Sequence, residues 1–384
     1  MAEAASGTPS SQLLESDARR IARSHKLGKS SAEVLSVYRH LSRMPDWITR
    51  IDRYCSDPKP EHSRVADWLL DNDYQVLRAI RQLGEDLPPS FYQQLPVLCN
   101  AGGDSAPRIF AIAHAAIKAM RKQLASGNLE RYINAYQEVA PLTIAELWAL
   151  PSMLRLASLE ILAGAFEQLA VDLAPPWQIS AYGAEEAAAD LTDRVAQAIS
   201  VLAAVSALEW TDFVDHTSCV EAILRSDPAN CYAGMDFQSR DIYRRGVERL
   251  AKGCQFGEVA IARKAIVFAA REEPGSRQQH VGFWLIDQGV QELERSVGYR
   301  RHWRERLKRS LLKNAGLCYS LVSLLLFLAA LILPVWYLTS TGTTAVTWIV
   351  ALFLVAIPAS VLSQVLVQWL LTSLIDIRVL PAMD

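Results

Sequence analysis

The sequence predicts an all-α chain: an irregular cytoplasmic helical domain followed by a two-helix transmembrane hairpin. Three observations carry this. Apolar residues in the first three quarters recur at three- and four-residue spacing. Cap-type start signals and Pro/Gly stop signals punctuate them, with no convincing period-two run and no Asn-Gly or Asp-Gly hairpin. Near the C-terminus, two long stretches carry no charged residue at all.

Taken in order, "MAEAASGTPSSQLLESDARR" has no apolar core of a secretory signal. Its Ala, Ser and Gly content predicts a mobile tail over residues 1–30. The helical domain follows over 31–297. Val65, Leu69, Val76, Leu77, Ile80 and Leu83 predict one helix from about Ser63 to Leu83. Ile109, Ile112, Ala113, Ile117 and Met120 predict another. Thr143 with Glu146 forms a capping box ahead of "TIAELWALPSMLRLASLEILAGAFEQLAVDL", and Ser218 with Glu221 a second. Pro151 is expected to bend the first of these helices or split it. Asp236 is the expected N-cap in "GMDFQS". "DLPPS", "GGDSAP" and "APPW" are stops, and 173–183 is the natural internal boundary. No repeat of fixed period is present.

A basic juxtamembrane segment occupies 298–313. Its Arg300, Arg301, Arg304, Arg306, Lys308, Arg309 and Lys313 directly precede the first uncharged stretch. The expected spans are 314–338 and 345–374, joined by a polar turn at 339–344 that has no basic residue. The positive-inside rule then places the helical domain and the C-terminus in the cytoplasm and the turn outside. The collar reads first as a topology determinant, and it also suits anionic lipid headgroups at about 1 kcal/mol per basic side chain. Pro358 is expected to kink the second span. Gln364 and Gln368, four apart, either line a polar path or contact a neighbouring helix, or already stand at headgroup level.

Composition narrows the function classes. The chain has 384 residues, 51% of them apolar and 21% charged, so it is not disordered. The net charge of −2 divides into an acidic body and the local basic collar, which argues against a nucleic-acid partner. The six cysteines show no metal-ligand spacing and fit a reducing compartment.

Candidate sites are few. Asp71-Asn72-Asp73 matches the aspartate-x-aspartate pattern of metal-dependent glycosyltransferases. Within one helix, however, the two side chains point about 200° apart and cannot share a metal. They read as solvated carboxylates beside a buried Trp68. Asp236, Arg240, Asp241, Arg244 and Arg245 form the richest polar cluster, in "YAGMDFQSRDIYRR". Arg240 and Arg244 share a helical face, and Asp241 is within reach of Arg244 or Arg245. The cluster reads as an interhelical salt-bridge knot rather than an anion clamp. His280 and Asp287 are seven apart with no nucleophile in register, so His280 reads as a core or interface residue. No phosphate-binding loop, dinucleotide fingerprint, nucleophile elbow or zinc motif occurs. No catalytic, cofactor-binding or metal-binding residue is assigned.

Six ordered blocks carry a resemblance. They are "RVADWLLDNDYQVLRAIRQLGEDLPPSFYQQLP" (64–96), "PRIFAIAHAAI" (107–117), "YQEVAPLTIAELWALPSMLRL" (136–156), "YAGMDFQSRDIYRRGVERLA" (232–251), "RQQHVGFWLIDQGVQELERSVGYR" (277–300) and "IRVLPAMD" (377–384). From about residue 60 onward the chain resembles the N-terminal portion of the cyclic β-1,2-glucan synthases, large inner-membrane glucosyltransferases. The resemblance implies that this region precedes a family-84 glycosyltransferase domain, which would supply the UDP-glucose and divalent-metal chemistry. The acidic metal motif and the QxxRW-type acceptor motif are absent here. The expectation is therefore a non-catalytic, membrane-anchoring segment, with residues 375–384 the start of a missing cytoplasmic domain. Its expected partners are membrane lipids and a missing or separately encoded transferase domain, not nucleic acid. The alternative is a free-standing two-span adaptor or regulatory protein.

Overall fold

Helices account for nearly all the regular structure. The computed structural model describes residues 11–28, 36–56, 63–99, 106–120, 124–180, 182, 190–300, 314–342 and 344–374. Among these there is no strand, only isolated bridges pairing Leu27 with Leu98 and Val97 with Pro107. The chain forms two units: residues Met1–Ala233 with Gly257–Phe283, and residues Gly234–Phe256 with Trp284–Asp384.

The first unit is built around one helix. In chain order its main helices are α1 (Ser11–Ser24), α2 (Met44–Cys55), α3 (Ser63–Leu70), α4 (Asp73–Asp86), α5 (Arg108–Met120), α6 (Ser126–Gln137) and α7 (Ile144–Leu169). Beyond them lie α8 (Leu191–Ala207), α9 (Trp210–Thr217) and α10 (Cys219–Leu224). Helix α7 packs against α4, α5 and α8. It is apolar all round, as a helix surrounded by others must be. Its start is the expected capping box: Thr143 accepts from the Glu146 amide, and the Glu146 side chain reaches back to the Thr143 amide. The helix runs through Pro151 unsplit. Proline removes one donor and leaves one carbonyl unmet, a defect that dense packing on every side outweighs here. Trp47 of α2 anchors the far end, donating to the Leu173 carbonyl at 2.9 Å and packing edge-on against Phe166 and Trp177.

Two expectations change in this unit. Residues 11–24, read as tail, form α1, which packs on α5 and α6 and buries Leu14, Ala18 and Ala22. The four-residue step of those three residues is the signal, a weak one because two of them are alanines. The expected 63–83 helix breaks at residues 71–72 into α3 and α4. Val65, Leu69, Val76, Ile80 and Leu83 are buried as expected, but Leu77 and Trp68 are 38% and 41% exposed.

The second unit contains α11 (Phe237–Lys252), α13 (Val290–Val297) and the hairpin α14 (Ala315–Thr341) and α15 (Ala345–Leu374). Helix α12 (Glu258–Ala269) belongs to the first unit, against α10. Gly253, at the end of α11, lies under the Tyr299 ring: a Cβ there would come within 1.9 Å of it.

In the hairpin, α14 and α15 pack on each other at four-residue steps. Val322, Leu326, Ala330, Pro334 and Leu338 line one side, and Ala351, Val355, Ala359, Ser363 and Val367 the other. Small residues let two backbones approach closely, the usual arrangement between membrane helices. The turn is shorter than expected. Thr339–Thr341 continue the helix, and Gly342 ends it in the left-handed region at φ 58°, where an L side chain is strained. Pro334 and Pro358 both lie inside unbroken helices.

Candidate functional site

The aspartate pair does not sit within one helix. Asp71 lies in the turn after α3, Asn72 takes the cap position of α4, and Asp73 opens α4, where a carboxylate favours the helix dipole. The Asn72 side chain donates to the Trp68 carbonyl at 2.9 Å instead of capping α4. The angle between successive positions of one helix therefore does not set how these two carboxylates point. Among the described residues, no group of three or more His, Cys, Asp or Glu side chains is placed to hold a metal.

The 236–245 cluster is divided rather than convergent. Asp236 caps α11 by accepting from the Ser239 amide at 2.8 Å. Those Ser239 hydrogen bonds hold its carboxyl below the usual aspartate value. Asp241 pairs with Arg245 at 2.7 Å, and Arg245 is largely exposed. Arg244 points inward, fully buried, its guanidinium 5.0 Å from the centre of the Phe237 ring. Arg240 is half-buried. Of the basic collar, Arg300 is exposed and its amide donates to the Gly253 carbonyl at 2.8 Å. Arg301, Arg304, Arg306, Lys308, Arg309 and Lys313 lie outside the described residues, as do residues 375–384 and the first ten of the tail.

The strongest polar contacts join residues far apart in sequence. Arg108 of α5 meets Glu146 of α7 through two hydrogen bonds of 2.7 and 2.5 Å, both side chains buried. Burial opposes the Arg108 charge, but the Glu146 hydrogen bonds and charge outweigh it and raise the guanidinium pKa. Beside it, His25 Nδ1 lies 2.8 Å from the Tyr136 hydroxyl. Burial, helped by the Arg108 charge, lowers the His25 pKa to about 4, so its ring is neutral at pH 7. His280 Nδ1 lies 2.7 Å from an Asp227 carboxylate oxygen. Asp227 is buried and also accepts from the amides of Val281 and Tyr232, at 2.9 and 3.3 Å. Burial alone would raise its pKa, but these hydrogen bonds outweigh it and lower it. The arrangement ties residues 227–232 to residues 280–281.

The largest feature with a functional reading is the hairpin. Only 6% of each of its apolar windows, Tyr319–Thr341 and Ala345–Leu370, is buried. Both helices are long and apolar enough to cross a membrane. Aromatic residues mark two levels. Tyr319 and Tyr337 on α14 are ~27 Å apart along the axis and Trp348 and Trp369 on α15 ~32 Å, close to a hydrocarbon thickness of about 30 Å. Trp336, Tyr337 and Trp369 are all more than half exposed, as interfacial anchors are. Gln364 and Gln368 are exposed and point away from the α14 seam, so they line no path inside the hairpin.

No protein-family model matches the chain. It is 25% identical to the cyclic beta-(1,2)-glucan synthase NdvB of Rhizobium meliloti (strain 1021), over 77% of this chain and 13% of that protein. The chain thus spans about an eighth of the length of the curated relative it matches, and the two are related.

Proposed function

We propose that this chain is the non-catalytic, membrane-anchoring helical part of a cyclic β-1,2-glucan synthase. The observation that carries the reading is an uncharged, almost wholly uncovered helical hairpin in a chain related to such a synthase. The hairpin crosses the inner membrane, with the helical units and both hairpin ends on the cytoplasmic side. Arg300, Arg301, Arg304, Arg306, Lys308, Arg309 and Lys313 face the anionic headgroups there. The partner is a family-84 glycosyltransferase domain that transfers glucose from UDP-glucose. The divalent metal and the transfer step belong to that domain on this reading, and no step is assigned to this chain.

Two measurements test this. The purified chain in nanodiscs, given UDP-[14C]glucose and manganese, is expected to release and transfer no glucose; measurable transfer overturns the non-catalytic reading. Cysteines placed singly at Thr344 and at Glu292 in inverted and right-side-out vesicles are expected to label from opposite sides, with Thr344 accessible from the periplasm. The reverse pattern overturns the orientation.

A further inference from the structure

On the reading of α14 and α15 as membrane-crossing helices, the outer surface of α15 faces hydrocarbon, and most of it suits that solvent. Phe353, Ile357, Val361, Val365 and Trp369 are exposed and apolar. One stripe departs from this. Ala356, Ser360, Gln364 and Gln368 each follow a seam residue by one position, so the stripe runs beside the seam, about 100° round the helix. Ala356 and Ser360 are half-buried, and the two glutamines are exposed. Ser360 satisfies its hydroxyl within the helix, on the Ile357 carbonyl at 2.7 Å. Neither glutamine amide has a hydrogen-bond partner among the described residues. Depth separates the two. Gln368 stands beside Trp369, level with headgroups and water. Gln364 lies ~7.5 Å further in along the axis and ~24 Å from Trp348. At that depth an amide with two donors and one acceptor finds no water, and leaving it unpaired is costly. Between membrane helices such amides bond across the contact, and small residues beside them let the backbones approach.

The chemistry of the amide selects the occupant. It donates and accepts at once, so it is its own complement. A second copy inserted in the same direction brings an identical amide to the same depth, which a two-fold contact turns into a reciprocal pair. The geometry points to a pairing of two copies of this chain through α15, with reciprocal Gln364 amides at its centre and Ala356 and Ser360 at the close approach. The inference rests on the membrane-crossing reading and is independent of the synthase reading.

The test reconstitutes full chains carrying donor or acceptor fluorophores together in lipid vesicles and reads energy transfer as lipid dilutes the protein. A monomer–dimer curve is expected. Gln364→Leu is expected to move its midpoint to a protein fraction at least tenfold higher, with unchanged circular dichroism. Gln364→Asn, which keeps the amide, is expected to move it less. Leu362→Ala, 52% exposed on the opposite flank of the seam, is expected to leave it within twofold. Energy transfer no greater than random proximity at every dilution overturns the pairing and leaves the stripe to a different membrane helix. An equal shift in Leu362→Ala overturns it too. The membrane reading fails separately: vesicles washed in alkaline carbonate are expected to keep the chain, and its release would overturn that reading and the pairing with it.

Discussion

Helix α7 and the hairpin pass the same test of length and apolarity, yet 89% of the α7 window is buried in protein and 6% of each hairpin window. The difference lies in what the apolar residues are interrupted by. Helix α7 carries Glu167, exposed near its end, and the buried Glu146, Arg155 and Glu160, each answered from another segment: Arg108, Asp86 and Ser180. The hairpin from Ala315 to Leu374 carries no Lys, Arg, His, Asp or Glu. Charges in a buried helix are affordable because partners are built around them; in hydrocarbon no such partner is at hand. A few paired charges therefore mark a helix buried in protein better than average apolarity does.

The comparison can be broken most sharply at Glu146. Glu146→Ala strands the buried Arg108 guanidinium and removes the α7 capping box, so a loss of roughly 3–5 kcal/mol is expected. Urea unfolding followed by tryptophan fluorescence measures it, and a loss near zero would show that α7 does not depend on its charge partners. Next comes a matched pair. Leu159→Ala, at a fully buried site, is expected to cost about 2–5 kcal/mol of folding stability. Leu333→Ala, 73% exposed on the hairpin, should leave unfolding unchanged and weaken membrane insertion by a few tenths of a kcal/mol. Equal unfolding effects would erase the distinction between the two regions.

Gly164 offers a finer probe of α7. An added Cβ would stand 2.8 Å from the Arg194 guanidinium, itself buried and held by Gln168. Gly164→Ala is thus expected to destabilise by about 1–3 kcal/mol despite the better helix propensity of alanine. A rise in the unfolding midpoint would show that Arg194 yields freely.

The smallest effect is in pH. Asp227 has a folded pKa below its unfolded value, so its contribution is complete above the ordinary aspartate range. It is lost as pH falls through the folded value. Thermal unfolding from neutrality down to about pH 3 should therefore show a slope that Asp227→Asn reduces, leaving the part that Asp236 and Glu138 contribute. The hairpin, with no acidic group, should add nothing to that slope.

The helical class, the α7 capping box, the Asp236 cap and the two apolar stretches were all legible, because each is written in local spacing. What escaped was tertiary. Arg108 and Glu146 are 38 positions apart and Asp227 and His280 are 53 apart, and nothing in either neighbourhood names the other. The sequence reads His280 only as a core or interface residue and names no partner for it. The break at residues 71–72 was readable in principle. Asp-Asn-Asp is a run of poor helix formers suited to caps, but the apolar period passes through it without a change of phase. The Ser218 cap was found in part. Its hydroxyl accepts from the Glu221 amide, but the Glu221 carboxylate is taken by Arg225 and Tyr232.

Gly342 ends α14 only three residues before α15 begins. On the proposed reading, in which the two helices cross a bilayer, so tight a closure leaves the far side almost nothing to grip, and every force on the two rods enters through their open ends. Both ends then share one bilayer face, and whatever is fastened to them tilts as a single lever.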